Sequence, residues 1–228
     1  MQAVDSPLLQ GARVKIFLGE FGSGKTELAV NYALQIKALG CKTAIVDIDL
    51  VKPCFRTREN RKLLEKNEIE VVAPEQRLEN ADLPVLPHNL TRVLSQQDYQ
   101  VVMDVGGGKA AIVLGQFSKL FASNPYQAML VVNTCRPFTS TVAAIVELFH
   151  CIEHASRLKI TGIISNTNLA GGTNEQHIQT GLAIAEAASA ELAVPIHSVV
   201  IPEWLAGKVS THYPIFVLKP YTQYPWMV

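Results

Sequence analysis

Gly19-Glu20-Phe21-Gly22-Ser23-Gly24-Lys25-Thr26 fits G-x-x-x-x-G-K-[ST] at every fixed position. An apolar run at residues 14 to 18 precedes it, and a helix-period segment at residues 25 to 38 follows. Strand, glycine-rich turn and helix in that order predict a phosphate-binding loop. The glycines let consecutive backbone N–H groups converge on an anion, and the helix adds its positive end. Lys25 adds a point charge and Thr26 a hydroxyl for Mg²⁺. Four fixed residues recur by chance in about one chain in a hundred at average usage. The flanking strand and helix lower that further. The whole stretch Gly19, Glu20, Phe21, Gly22, Ser23, Gly24, Lys25 and Thr26, with Glu27 next to it, is expected to line a nucleotide.

Apolar, β-branched runs recur at residues 43 to 48, 101 to 105, 128 to 133, 160 to 165 and 196 to 201. Helical patterns stand between most of them, at 58 to 66, 88 to 95, 138 to 155 and 173 to 192. Short buried strands alternating with helices predict an α/β fold, a doubly wound and mostly parallel sheet with helices on both faces. Residues 50 to 99 form a longer connection with a short strand at 70 to 73, and insertions of this kind carry specificity or partner contacts. Residues 213 to 228 hold three prolines and several aromatics, and an extended segment lying on the body is expected there.

The chain has 228 residues, 48% hydrophobic and 18% charged, which suits one globular domain over 1 to 228. Twenty basic and twenty acidic side chains cancel, so no nucleic-acid partner is expected. Residues 1 to 10 lack a signal-peptide pattern, and no apolar run reaches the ~18 residues of a membrane helix. The expectation is a cytoplasmic protein without stable membrane insertion. Cys41, Cys54, Cys135 and Cys151 are widely spaced without C-x-x-C, which favours reduced thiols over a disulfide framework or zinc ribbon.

In such a fold ligands bind at the carboxyl ends of the strands. The second strand ends Val46-Asp47-Ile48-Asp49, placing both carboxylates on one side, where one can hold a water on Mg²⁺ or orient an attacking water. The third ends Val101-Val102-Met103-Asp104-Val105-Gly106-Gly107-Gly108, delivering one acid into a glycine triplet. Asp104 reads as a Walker B metal residue, and the triplet as a segment whose N–H can hold a γ-phosphate and release it after hydrolysis. Arg136 and Pro137 begin the helix after the fourth strand. Proline suits a first helical turn, and Arg136 stands where it can face a partner or substrate. His150-Cys151-Ile152-Glu153-His154 matches H-x-x-E-H, with Glu147, His150, Cys151 and His154 on one helical face. Surface or interface packing is the favoured reading of that helix over a zinc site.

The order of motifs resembles the MinD, ParA, CobQ and iron-protein branch of P-loop NTPases, the SIMIBI class, over nearly the whole chain. The resemblance implies that Asp47 and Asp49 form switch I, with Asp49 orienting water, and that Asp104, Gly106 and Gly107 form switch II. It implies that Asn166 contacts adenine and that the loop Ile201-Pro202-Glu203 closes the base pocket. An amide donates to and accepts from a base edge at once. The N-K-x-D guanine signature is absent, so ATP is expected over GTP.

Three departures from the family pattern stand out. Glu20 occupies the place of a second lysine that reaches across an ATP-bound dimer; Arg56 and Arg58 are the candidates to replace that cation. No cysteine follows the glycine triplet, so no iron-sulfur cluster is expected. No basic amphipathic helix ends the chain.

The sequence therefore reads as a Mg²⁺–ATP binding protein that hydrolyses ATP slowly, as a switch for a protein partner, with a nucleotide-dependent homodimer in view. Lys25, Asp49 and Asp104 would be catalytic, with Thr26, Asp49 and Asp104 at the metal. The alternative is an ATP-dependent ligase or kinase of the dethiobiotin synthetase or CobQ type, using residues 50 to 99 and Arg136 to hold a small acid. A third class is a nucleotide-sensing module without turnover.

Overall fold

A computed structural model describes residues 10–48, 60–73, 89–107, 109–116, 118–122 and 124–221. Its strands are β1 (Val14–Leu18), β2 (Lys42–Asp47), β3 (Glu70–Val72), β4 (Tyr99–Asp104), β5 (Tyr126–Val132), β6 (Gly162–Ser165), β7 (Ile196–Pro202) and β8 (Ile215–Leu218). They form one sheet in the order β3-β2-β4-β1-β5-β6-β7-β8, and every pairing is parallel. The helices are α1 (Lys25–Ala38), α2 (Arg61–Lys66), α3 (Leu90–Ser95), α4 (Lys109–Gln116), α5 (Ser118–Ala122), α6 (Val142–Ser156) and α7 (Glu175–Leu192). This is the doubly wound α/β fold that the alternation of runs predicts.

The strands are apolar on both faces because helices cover both. Val14, Ile16, Leu18, Val101, Met103, Leu130 and Ile163 face the core under α3 to α7. Phe17, Ile45, Val102, Met129, Val131 and Ile164 face the core under α1 and α2. Each such side chain contributes about 1.5–3 kcal/mol by leaving water, which is what closes the sheet against its helices. β1 lies between β4 and β5; the chain passes from β1 to β2 and β3, returns to β4 beside β1, then crosses to β5 and runs outward to β8. The ends of β1, β4 and β5 thus open a crevice at the switch point.

Three elements depart from the sequence expectation. Residues 215 to 218 of the proline-marked tail pair with β7 as a parallel edge strand, Val199↔Ile215 through Pro202↔Leu218. Helices α4 and α5 follow the glycine triplet, where no helix is predicted. The helix expected from residue 138 opens instead as a 3-10 turn, Pro137–Thr139, and α6 begins after Thr141, whose hydroxyl accepts from Ala144 N. Asp49, Arg56, Arg58, Cys54, Gly108 and the prolines at 84 and 87 lie outside the described residues. Among the described residues, no helix is long and apolar enough to cross a membrane.

Helix α1 is buried almost all round, from Leu28, Ala29 and Val30 to Asn31, Tyr32 and Ala33. A helix covered on several sides must have neighbours on several sides. Phe17 meets the Tyr32 ring edge-on, and Phe216 of β8 stacks on it. Beyond β8 the backbone crosses the helix: Asn31 Nδ2 donates to Lys219 O and Lys219 N donates to Asn31 Oδ1, both at 2.8 Å.

Candidate nucleotide site

The loop between β1 and α1 turns on glycines with positive φ. Gly22 has φ 78° and Gly24 φ 86°, a region costly for any residue with a Cβ. Space is equally tight there. A Cβ on Gly24 would stand 2.4 Å from Asn166 Nδ2, and one on Gly22 2.9 Å from Arg136 Nε. Gly24 serves as the N-cap of α1 without any side-chain cap, whereas α6 and α7 are capped by Thr141 and Asn174. A helix start without a side-chain cap is the kind that takes an anion.

Within the loop, Glu20 O accepts from Ser23 N at 3.2 Å and from Lys25 Nζ at 2.9 Å. Lys25 is buried, its ammonium folded onto the loop it serves. The Glu20 side chain bends back, accepting from Phe21 N at 3.0 Å, and its carboxylate lies 3.5 Å from the position of a Cβ on Gly107. That places the start of the loop against the glycine segment after β4. Phe21 is half exposed at the tip.

Beneath the loop, Thr26 Oγ1 donates to Asp104 Oδ2 at 2.7 Å. Asp104 is 1% exposed at the end of β4, and in the parallel ladder it stands level with Asp47 of β2 and Phe17 of β1. Asp47 is buried equally. A hydroxyl beside buried carboxylates is a hard oxygen set, the chemistry that Mg²⁺ takes. Ser23 Oγ, buried in the loop, has no hydrogen-bond partner among the described residues. The uncapped helix start, the close-approach glycines, the Ser23 hydroxyl and the Thr26–Asp104 pair together fit a polyphosphate with a divalent cation.

Side chains from β5 and β6 hold the loop from outside. Asn166 Nδ2 donates to Ser23 O at 2.7 Å, and Asn133 Nδ2 donates to Gly22 O at 3.2 Å and to Asn168 O at 3.0 Å. Asn133 Oδ1 accepts from Cys135 N and Asn168 N. Asn166, expected at the base, is thus buried with its amide on the phosphate loop. Asn133, which sequence reading passed over, is a fully buried hub; its one signal is a strand-end amide before Thr134-Cys135-Arg136-Pro137. Pro202 closes β7 and Glu203 starts a 3-10 turn one strand beyond β6, with Trp204 partly exposed in that turn. Glu27 faces away from the loop interior, taking Tyr221 N at 2.6 Å on its carboxylate. Glu153 of the H-x-x-E-H run is spent on the chain after α6, accepting from Ile160 N at 2.9 Å and pairing with Lys159.

FtsY from Mycoplasma mycoides superposes with a TM-score of 0.59 at 18% identity, over 82% of this chain and 59% of that one. FtsY from Thermotoga maritima gives 0.56 at 22% identity, over 82% and 61%. The chain shares the α/β fold of these two proteins. The 54 kDa signal recognition particle protein from Aeropyrum pernix, determined in complex with GDP, gives 0.55 at 17%, over 96% of this chain and 45% of that one. The chain therefore spans less than two thirds of the length of these proteins. No protein-family model matches the sequence, and no curated protein is significantly similar to it.

Proposed function

We propose that this chain binds a Mg²⁺-bound purine nucleoside triphosphate in the loop of residues 19 to 26 and hydrolyses it slowly, as a conformational timer for a protein partner. One observation carries the reading: Thr26 and Asp104, from helix α1 and strand β4, meet at 2.7 Å beneath an uncapped glycine turn that holds Lys25. When bound, the metal would neutralise phosphate charge, and Thr26 and Asp104 would hold it. Lys25 would leave Glu20 O for the phosphates. Gly107, set against Glu20, would sense the terminal phosphate through its backbone. Asp49 is assigned the water-orienting role on the family resemblance.

Adenine is the favoured base. The turn after β6, Ser165-Asn166-Thr167-Asn168, carries no carboxylate, and the N-K-x-D guanine signature is absent. Guanine presents two N–H donors on its Watson–Crick edge and needs two acceptors from one side chain. A guanine nucleotide is the second reading, favoured by the GDP complex of the fold neighbour.

Calorimetric titration with ADP and GDP, each with Mg²⁺, tests the base; a tighter GDP complex reverses that choice. Lys25→Ala should weaken either nucleotide by about 10- to 100-fold, the worth of a charge-assisted hydrogen bond. Unchanged affinity would remove the loop assignment. Phosphate transfer to a small acid, in place of release, would replace the timer with a kinase.

A further inference from the structure

Arg136 lies across the phosphate loop without being part of it. Its Nε donates to Gly22 O at 3.2 Å, beside the Asn133 amide on the same carbonyl. The motif leaves position 22 open to any residue, yet it is glycine, and a Cβ there would stand 2.9 Å from Arg136 Nε and 3.3 Å from its Cζ. Gly22 thus makes room for the guanidinium. The backbone that carries Arg136 is fixed as well: Arg136 N donates to Asn133 O at 3.0 Å, and Thr139 Oγ1 donates to the same carbonyl at 2.6 Å. Arg136 makes no ion pair with a described residue, and its Nη groups find no acceptor among them.

The charge of the site asks for such a group. Glu20, Asp47 and Asp104 are acids at or beside the loop, while the described cations there are Lys25 and Arg136. A triphosphate adds more negative charge than one lysine and one divalent ion neutralise. A guanidinium with free N–H groups in a fixed fork is suited to phosphate oxygens.

We infer that Arg136 contacts the phosphate tail of the bound nucleotide, supplying from the same chain the second cation that Glu20 denies to the loop. The inference rests on the nucleotide reading above.

The test compares Arg136→Ala, Arg136→Gln and Arg136→Lys in the full chain, by calorimetry with Mg²⁺–ATP and Mg²⁺–ADP at two salt concentrations, with the melting temperature of the nucleotide-free protein. A phosphate contact predicts at least tenfold weaker binding of one or both nucleotides in the Ala and Gln variants. It also predicts a flatter salt dependence in both, partial recovery in Lys, and unchanged melting. A loss confined to ATP places the contact on the terminal phosphate. A Gln variant with wild-type affinity overturns the inference, because its amide can still hold Gly22 O without charge. Affinity within twofold in all three variants overturns it equally. If the unaltered chain binds nucleotide and Lys25→Ala does not, a negative Arg136 series condemns this inference alone. A wild-type chain that binds neither nucleotide condemns both readings.

Discussion

Thr26 Oγ1 and Asp104 Oδ2 stand 2.7 Å apart, joining the first turn of α1 to the carboxyl end of β4. The pair ties the phosphate loop to the segment that leads into Gly107. Asp104→Asn keeps an oxygen for the Thr26 hydroxyl but removes the charge a divalent ion needs. The expected outcome is nucleotide binding that no longer responds to Mg²⁺, with about tenfold or greater loss of affinity in its presence and little change in its absence. Titration with and without EDTA checks this, and an undiminished Mg²⁺ effect would move the metal elsewhere.

Gly24 and Gly40 have nearly the same backbone, φ 86° and 85°, but different surroundings. A Cβ on Gly24 meets Asn166 Nδ2 at 2.4 Å, while one on Gly40 meets nothing within 4 Å. Gly40→Ala should cost about 1–2 kcal/mol, the left-handed penalty alone. Gly24→Ala should cost more, and should also displace the Asn166–Ser23 contact. Denaturant melts of the two variants compare the costs directly; equal losses would show that the Asn166 contact is readily given up.

Glu27 and Asn31 hold the backbone of Lys219 and Tyr221 through three hydrogen bonds of 2.6 to 2.8 Å, and Asn31 Nδ2 also donates to Glu27 O and Oε1. Glu27→Ala removes a charged acceptor from the Tyr221 amide, worth about 1.5–3 kcal/mol. Amide hydrogen exchange at residues 217 to 221 should quicken in the variant, while that of β3 at the opposite edge stays as it was. Uniform quickening over the whole sheet would mean a global loss of stability instead.

Lys15 points from β1 into a buried setting, with Nζ donating to Gln10 O at 2.6 Å and to Gln127 Oε1. Burial pushes its ammonium from 10.5 down to about 8. His197 is lowered too, by burial first and by the Lys15 charge second. A depressed folded-state value means that the unfolded chain holds the Lys15 proton more tightly between these limits. Stability from this group therefore rises as pH climbs from about 8 toward 10.5, and the cost is fully present below 8. The unfolding free energy of the wild type relative to Lys15→Met should increase across that window. Parallel profiles would show that Lys15 does not titrate there.

The glycine turn between β1 and α1 and the place of Asp104 at a strand end were legible because each combines a residue pattern with a strand that delivers it. Asp104 ends an unbroken apolar run, so its burial beside Thr26 follows once the sheet is parallel. Strand β8 was hidden by its brevity: four residues between prolines at 214 and 220 carry little period, and only pairing with β7 makes them a strand. Helix α4 was hidden by its apolar stretch and by Gly115, a poor helix residue on propensity. The structure supplies the reason for that glycine, since a Cβ there would stand 2.5 Å from Ala155 O of α6. Asn133 and Asn166 show a different limit. A strand-end amide has several acceptors within reach, and only the assembled loop shows that Gly22 O and Ser23 O are the ones taken.

The Asn31–Lys219 pair joins residues 188 positions apart. Closing so distant a contact carries a large loop-entropy cost, which is recovered most readily once the neighbouring strands are in place. The helix that opens with Lys25 is thus expected to acquire its Lys219 neighbour late in folding, when the edge strand docks. Refolding followed by nucleotide fluorescence should show binding competence arriving in the slowest phase, together with protection of the Lys219 amide.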